Sequence, residues 1–401
     1  MTREVGATTT TPRAWLLALL PLVLLALLIL LIVRTDPTET LRGDGAPPVE
    51  RLSIERAVLN ENGIALSVLN DGPDPVTIAQ VTVDDAYWAF TAENGSVLKH
   101  LDKTRLLIPY PWVEGEAHLV KVMTSTGTTF DHEIPVAVRT PQPDRKSLAA
   151  FTLIGLYVGV IPVALGLLWL PLVGKLGRTG LDVLLALTVG LLAFLFVDAV
   201  HEGLESAGDM PASYQGFALF ASSAAAAFLA LEWFGGWLRA RRATARSAGS
   251  AGLVLSLLIA IGIGFHNFGE GLAIGAAYAL GQAALGTLLV IGFTLHNTTE
   301  GLAIVAPIAK ERPSIASLLK LGVIGGAPTI AGAWLGGFAY SPVLAVLFLG
   351  LGAGAILQVA LQIARQVAGD HPLTGRFASA PVMIGLLAGF GVMYVTGLLV
   401  G

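Results

Sequence analysis

Residues 264 to 275 read GFHNFGEGLAIG, and residues 293 to 304 read FTLHNTTEGLAI. Offset by 30 positions, Ile261 to Ile274 and Ile291 to Ile304 agree at nine of 14 places. His266, Asn267 and Glu270 in the first copy answer to His296, Asn297 and Glu300 in the second. On a helix, residues three and four apart are neighbours, so each imidazole, amide and carboxylate trio faces one way. Imidazole nitrogens and carboxylate oxygens bind divalent transition metals, and amide carbonyls add weaker ligands. The chain has no cysteine, which excludes thiolate ligands, disulfides and a cysteine nucleophile. The remaining nitrogen and oxygen set suits Zn2+, with Fe2+, Mn2+ or Cd2+ as other candidates, and does not suit Cu+.

The surroundings make these polar groups expensive. Of 401 residues, 54% are hydrophobic and only 13% charged, with a mean hydropathy of +0.73. A soluble domain carries about 25% charge, so the composition is that of a polytopic membrane protein. The net charge of −4 comes with no large basic patch, which speaks against nucleic acid as a partner. His266 and His296 each fall about 15 residues into an apolar stretch, or ~20 Å from the start of its helix. Consecutive spans run antiparallel, so both motifs reach the bilayer midplane and can face each other. A carboxylate there costs on the order of 2.5–3.5 kcal/mol, and two of them repel. Interhelical hydrogen bonding would account for an isolated His or Asn. It does not account for a duplicated six-residue set, whereas a bound divalent cation does.

The elements that must position this set are legible from hydropathy. After the polar start, Ala14 to Val33 is apolar and long enough to cross a ~30 Å hydrocarbon core. It reads as an uncleaved anchor (residues 1–35) in preference to a secretory signal, because RTDPTETLRG follows it without a small-x-small site. Arg3 and Arg13 place its N-terminal flank in the cytoplasm. Residues 36–48 read as a linker rich in Pro, Gly and Thr. Across residues 49–140, RLSIERAVL, GIALSVLN, VTIAQVTV, AHLVKVMTS and TTFDHEIPVAV alternate apolar and polar residues between turn sequences. Five to seven short strands predict a small immunoglobulin-like β-sandwich outside the cytoplasm. His100 and the DHE at 131–133 read as surface polar residues in preference to metal ligands. From 148 to 401 the sequence predicts eight spans, near 148–173, 181–204, 213–238, 251–280, 282–309, 315–338, 341–366 and 379–400. Lys and Arg fall in alternate loops, including RARRATAR at 239–246, KERPS at 310–314 and RQVAGDHPLTGR at 365–376. That puts those loops in the cytoplasm and both ends of the eight-span region outside. Asp370 and His371 read as plain loop residues.

At its two motifs the chain resembles the ZIP (Zrt/Irt-like protein) family of divalent metal transporters. That family carries HNxxEG-type signatures on its fourth and fifth helices, usually with Pro before the Glu. Here Gly269 and Thr299 stand in that place. The resemblance covers about residues 148–401; the anchor and the β-domain lie outside it. It implies an eight-helix bundle, a homodimer, and a plasma-membrane permease whose substrate is the metal ion itself. It also implies a primary site of His266, Glu270, His296 and Glu300, and a second position using Asn267 and Asn297 with the glutamates bridging. Two departures weaken that second position. GGAPTIAGAWLG (325–336) has no carboxylate where many members have Glu before Pro, and Gln358 and Gln362 stand where members often carry a Glu pair.

Near the end of the second span, Asp198, His201, Glu202 and Glu205 share one helix face, which reads either as a cation-gathering entrance or as a solvated helix end. Glycines at 262, 264, 269, 271, 275, 292 and 301 thin the motif helices, and Gly332 with Gly336 would permit close helix contacts, as a dimer needs. The expected function is uptake of a divalent metal toward the cytoplasm by alternating access. Two other readings are a non-transporting sensor or receptor and an intramembrane metalloenzyme; for the β-domain, binding a protein partner, shielding the entrance and aiding dimerisation are all open. The metalloenzyme is disfavoured because Asn, not Glu, follows each His, leaving no HExxH general base.

Overall fold

The computed structural model describes residues 12–35, 47–244, 251–369 and 377–398. Most of the 36–48 linker, together with Arg3, Asp370 and His371, lies outside the described residues. The chain divides into two units, residues 1–49 and 50–401. The first holds helix α1 (Pro12–Thr35), whose 24 residues amount to ~36 Å at ~1.5 Å per residue. Its leucine side chains from Leu19 to Leu31 are exposed within that unit.

The second unit opens with two antiparallel sheets. One has the order β1 (Leu52–Asn60), β2 (Gly63–Asn70), β7 (Lys103–Ile108), β5 (Thr91–Ala92). The other runs β4 (Ala86–Trp88), β3 (Val76–Val83), β8 (His118–Thr124), β9 (Thr129–Ile134), with β6 (Val97–Leu98) also paired to β3. This order, with β1-β2-β7-β5 on one face and β3-β8-β9 on the other, follows the immunoglobulin sandwich. Ile64, Leu66, Val68 and Leu106 from one sheet meet Ile78, Val81, Val120 and Val122 from the other in one buried core. The strand missing from the sequence reading is β7. Its alternation of Thr104, Leu106 and Ile108 inward is real, but it runs at once into Pro109 and Pro111. Strands β4, β5 and β6 are too short to carry a period.

Eight further helices are long and apolar enough to cross a membrane. They are α2 (Arg145–Val173), α3 (Arg178–Gly208), α4 (Ala212–Arg241), α5 (Ala251–Ala279), α6 (Ala283–Ile308), α7 (Ile315–Ala339), α8 (Pro342–Ala368) and α9 (Ala380–Gly397). They match the eight expected spans to within a few residues. Two are irregular. In α2 a π-helical turn covers Leu156–Val160, and α7 is broken at Ala327, where Pro328 begins its second half. Helices α2, α5, α6 and α7 pack chiefly on one another, as do α3, α4, α8 and α9. The α5–α8 contact is the main seam between the two groups.

Glycine sets the tightest of these contacts. A methyl carbon on Gly332 would stand 2.0 Å from the Phe268 carbonyl oxygen, and one on Gly336 would stand 2.1 Å from that of Leu272. The Gly332 and Gly336 face is therefore occupied by α5 of the same chain, which corrects the expectation that it serves a second copy. The sandwich is docked on the helices as well. Asp71 accepts from the Ala212 and Ser213 backbone N–H groups at 2.9 Å each, capping the start of α4. Arg56 donates to the Phe338 carbonyl at 3.3 Å, near the end of α7. The Gly332→Val substitution forces α7 away from α5, an overpacking worth about 1–3 kcal/mol. It should lower the thermal midpoint of the detergent-solubilised protein, whereas Gly391→Val, where a Cβ meets nothing within 4 Å, should not.

Candidate metal centre

Helices α5 and α6 bring the two motifs together as their antiparallel arrangement requires. Glu270 is the hub. One of its oxygens accepts a hydrogen bond from His296 Nε2 and lies 3.3 Å from His266 Nε2. Its other oxygen accepts from Asn297 Nδ2 at 2.9 Å. Glu300 is the opposite case. It is 3% exposed, and its carboxylate oxygens make no hydrogen bond of good geometry, with the Asn267 side chain beside them. His266, His296 and Glu300 each offer a ligand atom, and these atoms lie within 4.8 Å of one another. The imidazole ring centres are 6.2 Å apart.

The two asparagines hold the motif helices to their neighbours. Asn267 Nδ2 donates to the Gly325 carbonyl at 3.0 Å, beside the break in α7. Asn297 Nδ2 donates to the Val158 carbonyl at 2.9 Å, inside the π turn of α2. Both carbonyls belong to stretches where the regular backbone ladder is interrupted, and side chains commonly satisfy such groups in membrane helices. The Asn267 and Asn297 Oδ1 atoms are then left buried without partners. They remain available as weak metal ligands. Thr329, fully buried just past the α7 break, also has an unpartnered hydroxyl.

A cavity of about 20 Å3 opens against these groups, lined by His266, Glu270 and His296 and walled by Phe293, Phe348 and Leu349. That is room for roughly one water or one bare ion. Asp198 and Glu202 of α3 line it too, and both are exposed, so they stand at its mouth. His201 and Glu205 are exposed as well but do not contribute to this lining. The expected entrance set thus splits in two. Gln358 is buried away from this cavity, donating to Glu232 at 3.0 Å and to Gln362 at 3.1 Å, while Glu232 pairs with Arg365. The phenylalanine wall and Glu232 were not legible in advance, because nothing in an apolar span distinguishes a lining Phe from a lipid-facing one.

The unequal satisfaction of the two carboxylates has a measurable consequence without any transport assay. Breaking a buried charged network by removing one partner costs about 3–5 kcal/mol, so Glu270→Ala should markedly lower the thermal midpoint in chelator. Glu300→Gln removes a buried charge that has no partner and should leave that midpoint unchanged or raise it. The same variant should abolish the rise in midpoint that Zn2+ gives the native protein. Thermal melts with and without Zn2+ read all three outcomes.

No family model and no curated protein matches the chain.

Proposed function

We propose that this protein is a membrane permease for a divalent transition-metal ion, of the ZIP kind, that moves Zn2+ or a chemically similar cation toward the cytoplasm. The observation that carries this reading is the unpartnered Glu300 carboxylate beside two imidazoles, deep among helices long enough to span a bilayer. A buried carboxylate is tolerated only when paired or bound to a cation. Two nitrogen ligands and one oxygen ligand suit Zn2+ and its neighbours better than Mg2+, which prefers oxygens and dehydrates reluctantly.

The placement of the site favours transport over simple storage. Its ligands sit on α5 and α6, in one helix group, while the acidic mouth residues Asp198 and Glu202 belong to α3 in the other. A relative movement of the two groups would take the ligands away from the mouth, which is what alternating access requires. With the β-domain outside and the Lys/Arg-rich loops in the cytoplasm, the mouth faces outward and the direction is uptake. Each glutamate lost from the ligand sets of related transporters reduces the case for a second ion, so the site is read as binding one.

Uptake into proteoliposomes tests this directly. The native protein should accumulate Zn2+, and Cd2+ should compete while Mg2+ should not. The double variant Glu270→Ala, Glu300→Ala should lose flux entirely. Unchanged flux in that variant would remove these residues from the ion path.

A further inference from the structure

A second cavity, of about 240 Å3, lies where the sandwich meets the helices. Its sandwich wall includes Glu55 of β1 and His132 of β9; its helical wall includes Ser206, Asp209, Tyr340 and Ala345. The small cavity at the metal centre is lined from the same two helices, by Glu202 of α3 and by Phe348 and Leu349 of α8. From Ser206 to Glu202, and from Ala345 to Leu349, is four residues each, or ~6 Å along a helix. The two cavities are therefore stacked along α3 and α8, about one turn apart, with the larger one on the sandwich side.

We propose that this outer cavity is a cation vestibule, in which His132 of the β-domain and Asp209 of α3 hold a hydrated divalent metal ion before it reaches the inner site. Among the described residues, nothing hydrogen-bonds to or pairs with the His132 ring or the Asp209 carboxylate. Burial of His132 pushes its pKa down, which favours the neutral imidazole that metals bind. Asp209 caps the C-terminal end of α3, and no basic residue occupies the last turn of that helix. A carboxylate there adds to the negative end of the helix dipole, an arrangement unfavourable to the helix and attractive to a cation. Of the nearby cations, Lys103 pairs with Glu55 at 2.8 Å, while Arg56 donates through Nη1 to the Phe338 carbonyl and keeps its charge.

The sizes of the cavities give the vestibule its purpose. A water occupies about 30 Å3 of liquid, so the outer cavity takes an ion with several waters around it, while the inner cavity takes one particle. Water is shed between them, on the way from Asp209 at the end of α3 to Glu202 and Asp198, which line the inner cavity. Glu202 and Asp198 are four apart and share one face of α3. The β-domain is thus a working part of the ion path, supplying the imidazole that the helices lack at this level.

The vestibule rests on the transport reading, and the experiment separates the two. In the Glu270→Ala, Glu300→Ala background, equilibrium dialysis of the full-length protein in detergent against Zn2+ should retain one weakly bound ion. Adding His132→Gln, or Asp209→Asn, should weaken that ion several-fold. No retained ion, or an affinity indifferent to both substitutions, overturns the vestibule whatever the inner site does. In the otherwise native protein, His132→Gln should lower uptake several-fold at limiting Zn2+ and leave the saturating rate unchanged. Uptake equal to native at every concentration also overturns it. Asp209→Asn sits exposed at a helix end, so it carries the test should His132→Gln disturb the sandwich, as its thermal midpoint would reveal.

Discussion

Charge buried among apolar helices is the constraint on which the rest of this structure turns. Two carboxylates, Glu270 and Glu300, lie deep in the α5–α6 contact, away from bulk water and lipid. The protein treats them differently. Glu270 is surrounded by two imidazoles and an amide, so its lone pairs are used. Glu300 is left with none. A structural polar cluster would satisfy both, because an unmet buried carboxylate costs far more than a neutral amide in the same place. The inequality is why the proposed reading gives the cation to Glu300, which has the Asn267 side chain and two imidazoles beside it.

Holding such a pair in place demands rigid neighbours, and the backbone irregularities of α2 and α7 serve this. A π turn and a proline break each interrupt the helix ladder, and the lost bonds would be costly in an apolar medium. Asn297 and Asn267 satisfy one carbonyl at each place. The duplicated motif is thus used twice in the same way. In each copy the amide fastens its helix to an irregular neighbour, and the Asn297 amide donates to Glu270 as well. Replacing either asparagine with an apolar residue would remove a hydrogen bond to a buried carbonyl and loosen the helix that carries the His and Glu side chains.

The eight long helices were readable because a span needs only length and apolarity, and the loops between them are short and polar. The meeting of His266, Glu270, His296 and Glu300 was readable because duplication, helical spacing and antiparallel neighbours fix depth and facing together. Other features left no such trace. A π turn has no compositional mark, so the partner of Asn297 could not be foreseen. Strand β7 was hidden by the prolines that end it. Gly332 and Gly336 announce a close helix contact without saying with which helix, and α5 of the same chain took the place given to a second copy. His132 sits in a strand of alternating polarity, where sequence cannot tell a residue facing water from one facing another part of the chain.

Charge balance at the centre argues for the valence of the cargo in the proposed reading. With both imidazoles neutral, Glu270 and Glu300 together contribute two negative charges. A divalent cation brings the buried set to zero, the state that a low-dielectric interior favours most strongly. A monovalent ion would leave one negative charge uncompensated, and a trivalent ion one positive charge. Coordination need not involve both carboxylates for this to hold, since Glu270 acts through space while its oxygens remain on His296 and Asn297. Valence would then be selected by the pair of glutamates, and the choice among dications by the imidazoles and the small, phenylalanine-walled cavity.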